Sequence, residues 1–183
     1  MVYLKIVEYN RENAVKYAKK WANGRNPLFY NFTGIGGDCT NFVSQCIYAG
    51  SCKMNYTPTF GWYYASPNNR APAWSGVPYL YNFIVNNNAG AGPFAAETGA
   101  DGLLPGDFVQ LGRASGHFYH TLLVTSVVGG RYYVSTHTFD AFDRALDTYI
   151  YEAIRYIHIK GVRVPDDFSP GCFAALYEGR RIL

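Results

Sequence analysis

Residues 36–45 of the chain read Gly-Gly-Asp-Cys-Thr-Asn-Phe-Val-Ser-Gln, and this stretch decides how the rest of the sequence is interpreted. Two glycines free the backbone, and Asp38 is then well placed to cap a helix that begins at Cys39. Apolar residues follow at three- and four-residue spacing as far as residue 49, just before Gly50. The pattern therefore predicts an amphipathic helix over residues 39–49 with a cysteine in its first turn.

A cysteine in that position is a candidate nucleophile. The positive end of the helix dipole favours the thiolate, which is the reactive form of the side chain. The first backbone N–H groups of a helix have no partner within it, so they can receive an oxyanion. A carboxylate beside the thiol would raise its pKa, so we expect the side chain of Asp38 to cap the helix and point away from Cys39.

The composition limits the possible classes of protein. With 183 residues and 49% hydrophobic residues, the chain is predicted to form one domain over residues 1–183. The net charge is +3 and the basic residues are scattered, which argues against nucleic acid as a partner. No stretch approaches the roughly 18 apolar residues of a membrane-spanning helix. The first residues lack the features of a signal peptide, so we expect a cytoplasmic protein or a mature or excised domain of a secreted or cell-surface one.

The order of the predicted elements indicates an α+β fold, with helices first and adjacent antiparallel strands afterwards. Gly129-Gly130 is typical of a hairpin turn between two of these strands. Residues 53–76 and 89–102 are predicted to be loops, the first rich in aromatic residues and the second in glycine and alanine. The predicted helices cover residues 10–23, 39–49 and 78–88, and the predicted strands cover residues 108–111, 117–128, 131–138 and 153–160.

A cysteine nucleophile needs a base, and the candidates are the four histidines of the chain. Strand periodicity places His120, Leu122 and Val124 on one face of a strand, with Thr121 on the other. His137 ends the returning strand of the hairpin, two residues from the position opposite His120 and within diagonal reach of it. The spacing is compatible with a Cys39–His120–His137 site. In a regular strand His117 faces the other way from His120, and His120 is therefore preferred, although an irregular backbone near Gly116 would reverse that choice.

The cysteine segment and several other segments of the chain carry a resemblance to a known family. Residues 38–45 with Tyr48-Ala49-Gly50 resemble the nucleophile motif of the bacterial family called "Putative amidase domain". Upstream residues resemble its opening helix and loop, and three later segments follow in the family's order. The resemblance covers roughly residues 9–160 and is carried by Tyr9-Asn10-Arg11, Asn26-Pro27, Tyr30, Gly106-Asp107, His120-Thr121 and His137-Thr138 with Asp140.

That family is similar to the papain-like group, which includes the NlpC/P60 and CHAP peptidoglycan hydrolases. The resemblance implies a papain-like α+β fold, in which the nucleophile helix packs on an antiparallel sheet. It implies that Cys39 is the nucleophile, His120 the base and His137 the group that orients the base. The expected reaction is cleavage of an amide bond through a thioester, with a peptide or cell-wall peptide as substrate and with no metal or organic cofactor.

Weaker candidates surround this predicted site. Tyr30, Asp38 and Asp140 are candidates for oxyanion binding or for supporting the catalytic groups, although Asp38 is first of all a helix cap. The aromatic residues Trp62, Tyr63 and Trp74 are candidates for the wall of a substrate groove.

The four cysteines match no common zinc spacing and are too few for a disulfide scaffold. Cys46 is expected to pack in the core. Cys52 and Cys172 could form a disulfide bond in an oxidising compartment.

Two alternative functions stay open from the sequence. An acyl-enzyme on Cys39 could react with an amine rather than with water, giving a transpeptidase or transglutaminase-like enzyme. Alternatively, the chain could be a binding module without catalysis, in which Trp62, Tyr63, Tyr64 and Trp74 stack on peptide or sugar. The sequence indicates neither the scissile bond nor the oligomeric state.

Overall fold

The computed structural model describes residues 3–181, which form an α+β structure. Its helices are α1 (Arg11–Trp21), α2 (Cys39–Ser51), α3 (Pro72–Ser75), α4 (Val77–Asn86) and α5 (Phe173–Glu178). Its strands are β1 (Leu4–Val7), β2 (Tyr64–Ser66), β3 (Asn69–Arg70), β4 (Gly92–Thr98), β5 (Phe108–Gly112), β6 (Phe118–Val128), β7 (Arg131–Thr136), β8 (Ala141–Ala145) and β9 (Ala153–Pro165).

Seven of these strands form one antiparallel sheet built around the long strand β9. Strand β4 lies along one edge of β9, while β1 and β5 lie along the other. From β5 the sheet continues through β6 and β7 to β8. The register places Thr121 opposite Gln110 and His120 opposite Leu111, which determines which side chains can meet helix α2.

The two faces of the sheet carry separate hydrophobic cores. The larger core packs α1, α2 and α4 against one face, which presents Phe108, Leu123 and Ile157. The smaller core covers the other face, where Leu122 and its neighbours lie. Every residue of α2 except Tyr48 is buried, so this helix runs through the middle of the larger core.

The predicted long elements are present, with ends that differ by a few residues. The predicted loop over residues 89–102 is wrong, because it contains strand β4. Glycine and alanine favour a strand poorly, and β4 exists because it pairs along β9 from Gly92 to Thr98. The loop over residues 53–76 is interrupted by β2, β3 and the short helix α3.

Cys52 and Cys172 form a disulfide bond with a Cα–Cα distance of 5.4 Å. Cys52 caps the C-terminal end of α2, and Cys172 immediately precedes α5. The bond therefore ties the last helix to the end of the helix that carries Cys39. Cys39 and Cys46 are free thiols, and both are buried.

Candidate active site

Cys39 is the first residue of α2, and its side chain is buried against strand β6. Its Sγ atom lies 3.8 Å from the hydroxyl oxygen of Thr40, and the backbone of Thr121 is near enough to lower the pKa of the thiol. The Thr40 and Thr121 hydroxyl oxygens are 2.9 Å apart, which holds the first turn of the helix against the strand. The thiol thus lies where the helix begins and beside strand β6.

The resting thiol of Cys39 is neutral. Burial raises the pKa of the Cys39 thiol above its ordinary value, and the nearby Asp38 raises it further. The Thr121 backbone and the hydroxyl and backbone of Thr40 lower the pKa, but their combined effect is smaller. Formation of the thiolate therefore requires a base beyond the groups that contact sulfur here.

His120 does not contact Cys39 in this structure. The His120 ring lies on the face of the smaller core, with its centroid 6.4 Å from that of Tyr149. Helix α2 packs on the opposite face, where Thr121 points. Strand alternation therefore directs the predicted base and Thr121 to opposite faces, and within residues 3–181 the His120 ring makes no hydrogen bond to Cys39 or to any other group. Burial lowers the pKa of His120 from 6.5 to about 4, so the ring is neutral at pH 7.

His137 has partners other than the predicted one. Its Nδ1 atom lies 2.6 Å from a carboxylate oxygen of Asp38, and its Nε2 atom lies 2.9 Å from the carbonyl oxygen of Trp21. Both partners present an acceptor oxygen, so both ring nitrogens are engaged. The ring also stacks on Phe42, with centroids 4.1 Å apart. With both nitrogens engaged, His137 does not orient His120 in this structure, contrary to our prediction.

Asp38 lies at the centre of a group of hydrogen-bonded side chains that includes His137. Its side chain makes no capping bond to the helix backbone, which corrects that part of the prediction. Instead its Oδ1 atom accepts from the Asn41 side chain at 2.8 Å and from the Phe32 backbone at 2.9 Å. Arg25 lies 3.4 Å from the other carboxylate oxygen. The side chain of the residue before the nucleophile is therefore fixed by four neighbours, Arg25 and Phe32 from the loop before α2, Asn41 from α2 and His137 from the end of β7.

Asp140 supports the same group through Arg25 rather than through His137. The Arg25 guanidinium donates to both carboxylate oxygens of Asp140, at 2.8 and 2.9 Å. Burial raises the pKa of Asp140, but the hydrogen bonds and charge of Arg25 outweigh it, so the pKa is lowered below its ordinary value. Asp140 is thus linked to Asp38 through Arg25, which contacts both carboxylates.

The predicted aromatic groove is largely core. Trp62 and Trp74 are fully buried, with ring centroids 5.0 Å apart, so neither can line an open groove. The Trp74 indole nitrogen donates to the side chain of Asn41 at 2.8 Å. Tyr63 is half-buried and stacks on Tyr56. Trp62 and Trp74 pack against α2. Because both are buried, they are available neither to a binding module nor to the lid that acyl transfer would need.

Tyr30 lies near the start of α2 but offers only its backbone there. Its carbonyl oxygen accepts from the Asn41 side chain at 3.0 Å, and its N–H donates to the Tyr64 hydroxyl. The Tyr30 ring is exposed and packs edge-on against Phe32. The structure therefore places Tyr30 next to the site without placing its hydroxyl at the sulfur.

A series of hydrogen-bonded side chains, which the sequence did not predict, leads from the residue beside the thiol into the sheet. The Gln110 amide nitrogen donates to the Thr121 hydroxyl at 3.2 Å, and Arg155 donates to the amide oxygen of Gln110. Thr121 in turn contacts Thr40 beside the sulfur. The strand register that places Gln110 between Thr121 and Arg155 is a long-range property, so no local pattern could have indicated this series.

The family model described as "Putative amidase domain" matches residues 8–160. The chain belongs to this family. A protein of Bacillus subtilis (strain 168), named "Uncharacterized protein YhbB", is 32% identical over 138 residues, which is 73% of this chain and 43% of that protein. The chain therefore spans less than half the length of this curated relative. No solved structure matches the chain.

Membership of the amidase family indicates hydrolase activity in broad terms. The matched range contains the Asp38–Cys39 pair, both buried histidines and the chain of polar side chains behind Thr121. Within residues 3–181 no group of three or more His, Cys, Asp or Glu side chains is arranged to hold a metal ion. The part of the chain that the structure describes also has no helix long and apolar enough to cross a membrane.

Proposed function

We propose that this chain hydrolyses an amide bond, with Cys39 as the nucleophile. The observation that carries the proposal is the position of the thiol, at the first residue of a buried helix and facing the backbone of Thr121. Attack of the sulfur on an amide carbonyl would give a thioester and release the amine, and water would then release the acid. The family membership supports the amide as the bond that is broken.

The start of α2 offers donors for the developing oxyanion. Within the described range, the N–H of Cys39 has no hydrogen-bond acceptor. The first intrahelical bond runs from the N–H of Phe42 to the carbonyl oxygen of Asp38, so it leaves the Cys39 N–H free. The N–H groups of the first helical turn are also where the helix dipole is positive. We therefore assign the Cys39 N–H to the oxyanion, as expected for a nucleophile at the N-terminus of a helix.

His120 is the base in this proposal, and it must change its orientation to act. A bulge in β6 leaves Tyr119 without a partner, since Leu111 pairs with His120 and Gly112 pairs with Phe118. If Tyr119 moved opposite Leu111, His120 would become the unpaired residue and its ring could turn towards α2. Bulges often re-aim side chains beside active sites, and a catalytic contact is often completed only when substrate binds.

His137 takes a positioning role in the proposal. Its ring contacts the carboxylate of Asp38 at 2.6 Å, and the Asp38 N–H donates to the hydroxyl of Thr138 at 2.8 Å. Both contacts fix the residue that precedes the nucleophile. Loss of His137 would remove one partner of a fully buried carboxylate and leave Arg25 as its charged neighbour.

The proposal also covers the related hydrolases, the substrate and the group that accepts the acyl chain. A relation to the papain-like NlpC/P60 and CHAP hydrolases, and a cell-wall peptide as substrate, follow from the resemblance of the motifs. Water is favoured over an amine as the acceptor, because the tryptophans that could have formed a lid are buried in the core. The proposed enzyme class is a cysteine amidase or peptidase.

The test combines turnover with direct detection of the intermediate. Peptide amides and muropeptides are incubated with the wild-type chain, released amine is measured, and acid-quenched protein is digested to find an acyl group on Cys39. We expect turnover in the wild type and a loss on the order of 10⁴-fold in Cys39→Ala. Cys46→Ala is the matched control, because Cys46 is a second buried free thiol on α2.

The variants separate the roles of the two histidines. His120→Ala should abolish turnover while leaving the fold intact, and His137→Ala should lower both turnover and the free energy of unfolding. Full turnover in Cys39→Ala would refute the nucleophile. Full turnover in His120→Ala, with His137→Ala inactive but as stable as the wild type, would refute the assignment of the base.

A further inference from the structure

One cavity lies away from Cys39, between α4 and the loop over residues 55–62. Its volume is about 660 Å³, within the usual range of roughly 300–1,000 Å³ for small-molecule sites. The floor and walls come mainly from amide, hydroxyl and aromatic side chains. The lining residues that matter below are Asn55, Phe60, Tyr79, Asn82, Asn87 and Gly90.

Two exposed rings stand at this cavity. Phe60 is 83% exposed and Tyr79 is 56% exposed, an unusual position for rings of this size in a folded chain. Phe60 is held at the tip of a tight loop, since the N–H of Gly61 donates to the Thr57 carbonyl at 2.8 Å and Asn55 forms a bridge with Trp62 at the base of the loop. The ring is therefore displayed by a fixed backbone.

The floor is built from two almost completely buried amides. Asn55 and Asn87 are only 7% and 8% exposed, and both donate to the carbonyl oxygen of Ala91. Asn87 also donates to the Pro93 carbonyl, and Oδ1 of Asn55 accepts from the Thr57 N–H, so Oδ1 of Asn87 and one N–H of Asn55 are left for a ligand. Gly90 keeps them open to the cavity, because a Cβ atom there would lie 2.7 Å from Oδ1 of Asn87 and 2.9 Å from Nδ2 of Asn55. Any side chain at position 90 would fill the space above these amides.

The chemistry of the lining selects one class of ligand. None of the lining residues carries a charge, so nothing here recognises a phosphate, a carboxylate or an ammonium group. Amide side chains can both donate to and accept from hydroxyl groups, and Asn82 is exposed beside them without a side-chain partner in the described range. Aromatic faces bind the apolar faces of sugar rings, as they bind other flat apolar surfaces.

We propose that this cavity is a binding site for a neutral oligosaccharide, with Phe60 and Tyr79 against the sugar faces and the asparagines against the hydroxyl groups. The site is separate from the chemistry of Cys39. The buried Trp62 and Trp74 lie between the two, because Phe83 of the cavity stacks on Trp62 and Trp74 hydrogen-bonds to Asn41 of α2. Binding is therefore expected whether or not the thiol is catalytic.

Isothermal titration calorimetry on the whole chain tests the site, with chitotetraose and cellotetraose as probes and acetyl-tetraalanine amide as the neutral peptide probe. We expect one of the sugars to bind and the peptide not to bind. Phe60→Ala and Tyr79→Ala should each weaken sugar binding about tenfold. Gly90→Ala should weaken it at least as much, by filling the floor.

Tyr56→Ala is the matched control, because Tyr56 is another exposed aromatic residue of the same loop but does not line the cavity. Its sugar affinity should equal that of the wild type, and the melting temperature of every variant is measured to exclude unfolding. The proposal is overturned if neither sugar binds, if only the peptide binds, or if Tyr56→Ala weakens binding as much as Tyr79→Ala does. None of these results bears on the role of Cys39.

Discussion

The pKa of His120 distinguishes the arrangement seen in the structure from a preformed ion pair between Cys39 and His120. In the structure the ring is buried, has no hydrogen-bond partner among the described residues and lies on the opposite face of β6 from Thr121 and α2. Such a ring resists protonation. An imidazolium paired with a Cys39 thiolate would do the opposite, since the negative charge would raise the pKa of His120.

The size of the effect on stability follows from linkage. Burial lowers the pKa of His120 from 6.5 to about 4, while the unfolded chain keeps the ordinary value. Between these values the unfolded state binds a proton that the folded state does not, so stability falls as the pH falls. The loss accumulates at about 1.4 kcal/mol per pH unit and reaches roughly 3 kcal/mol at pH 4, with no effect above about pH 7.

Two measurements check this prediction. The first is a pH titration of the histidine Cε1–H signals by NMR, in which His120 should remain neutral down to about pH 5. The second is urea unfolding at pH 7.5 and pH 4.5 for the wild type and for His120→Gln. Both proteins lose stability through their carboxylates, so the additional loss in the wild type, about 2.5 kcal/mol at pH 4.5, belongs to His120.

His117→Gln is the matched control, because His117 lies exposed just before β6 and its replacement changes no buried group. It should lose as much stability on acidification as the wild type. A titration midpoint of His120 at or above 6.5 would refute the reasoning, and it would indicate that the ring already pairs with the thiolate without substrate.

The remaining predictions concern the scaffold around α2. The Cys52–Cys172 bond closes a loop of 120 residues, so the Cys52→Ala/Cys172→Ala double variant should lose up to about 5 kcal/mol in urea unfolding; equal stability would contradict the closed bond. Gly50→Ala should lose about 1–3 kcal/mol, because the new Cβ atom would collide with the ring of Tyr9. Gly171→Ala, which meets no atom within 4 Å, should leave the melting temperature unchanged, and equal effects of the two substitutions would refute the packing argument.

Local patterns predicted the elements and the face of each residue. The spacing of apolar residues predicted α2 with Cys39 at its start, and alternation along β6 placed His120 with Leu122 and Val124, as the smaller core confirms. These features depend on backbone periodicity, which is the same wherever the segment lies in the fold. The same kind of pattern failed for β4, whose strand depends on its partner β9.

The sequence by itself determined that a thiol begins a helix and that His120 and Thr121 point to opposite faces of a strand. Only the tertiary structure decided that α2 packs on the Thr121 face, that Asp38 binds His137 across 99 positions of sequence, and that Trp62 is core rather than groove. The reason is physical: a helix packs on the face where the most apolar surface is buried, and that choice depends on every strand of the sheet at once.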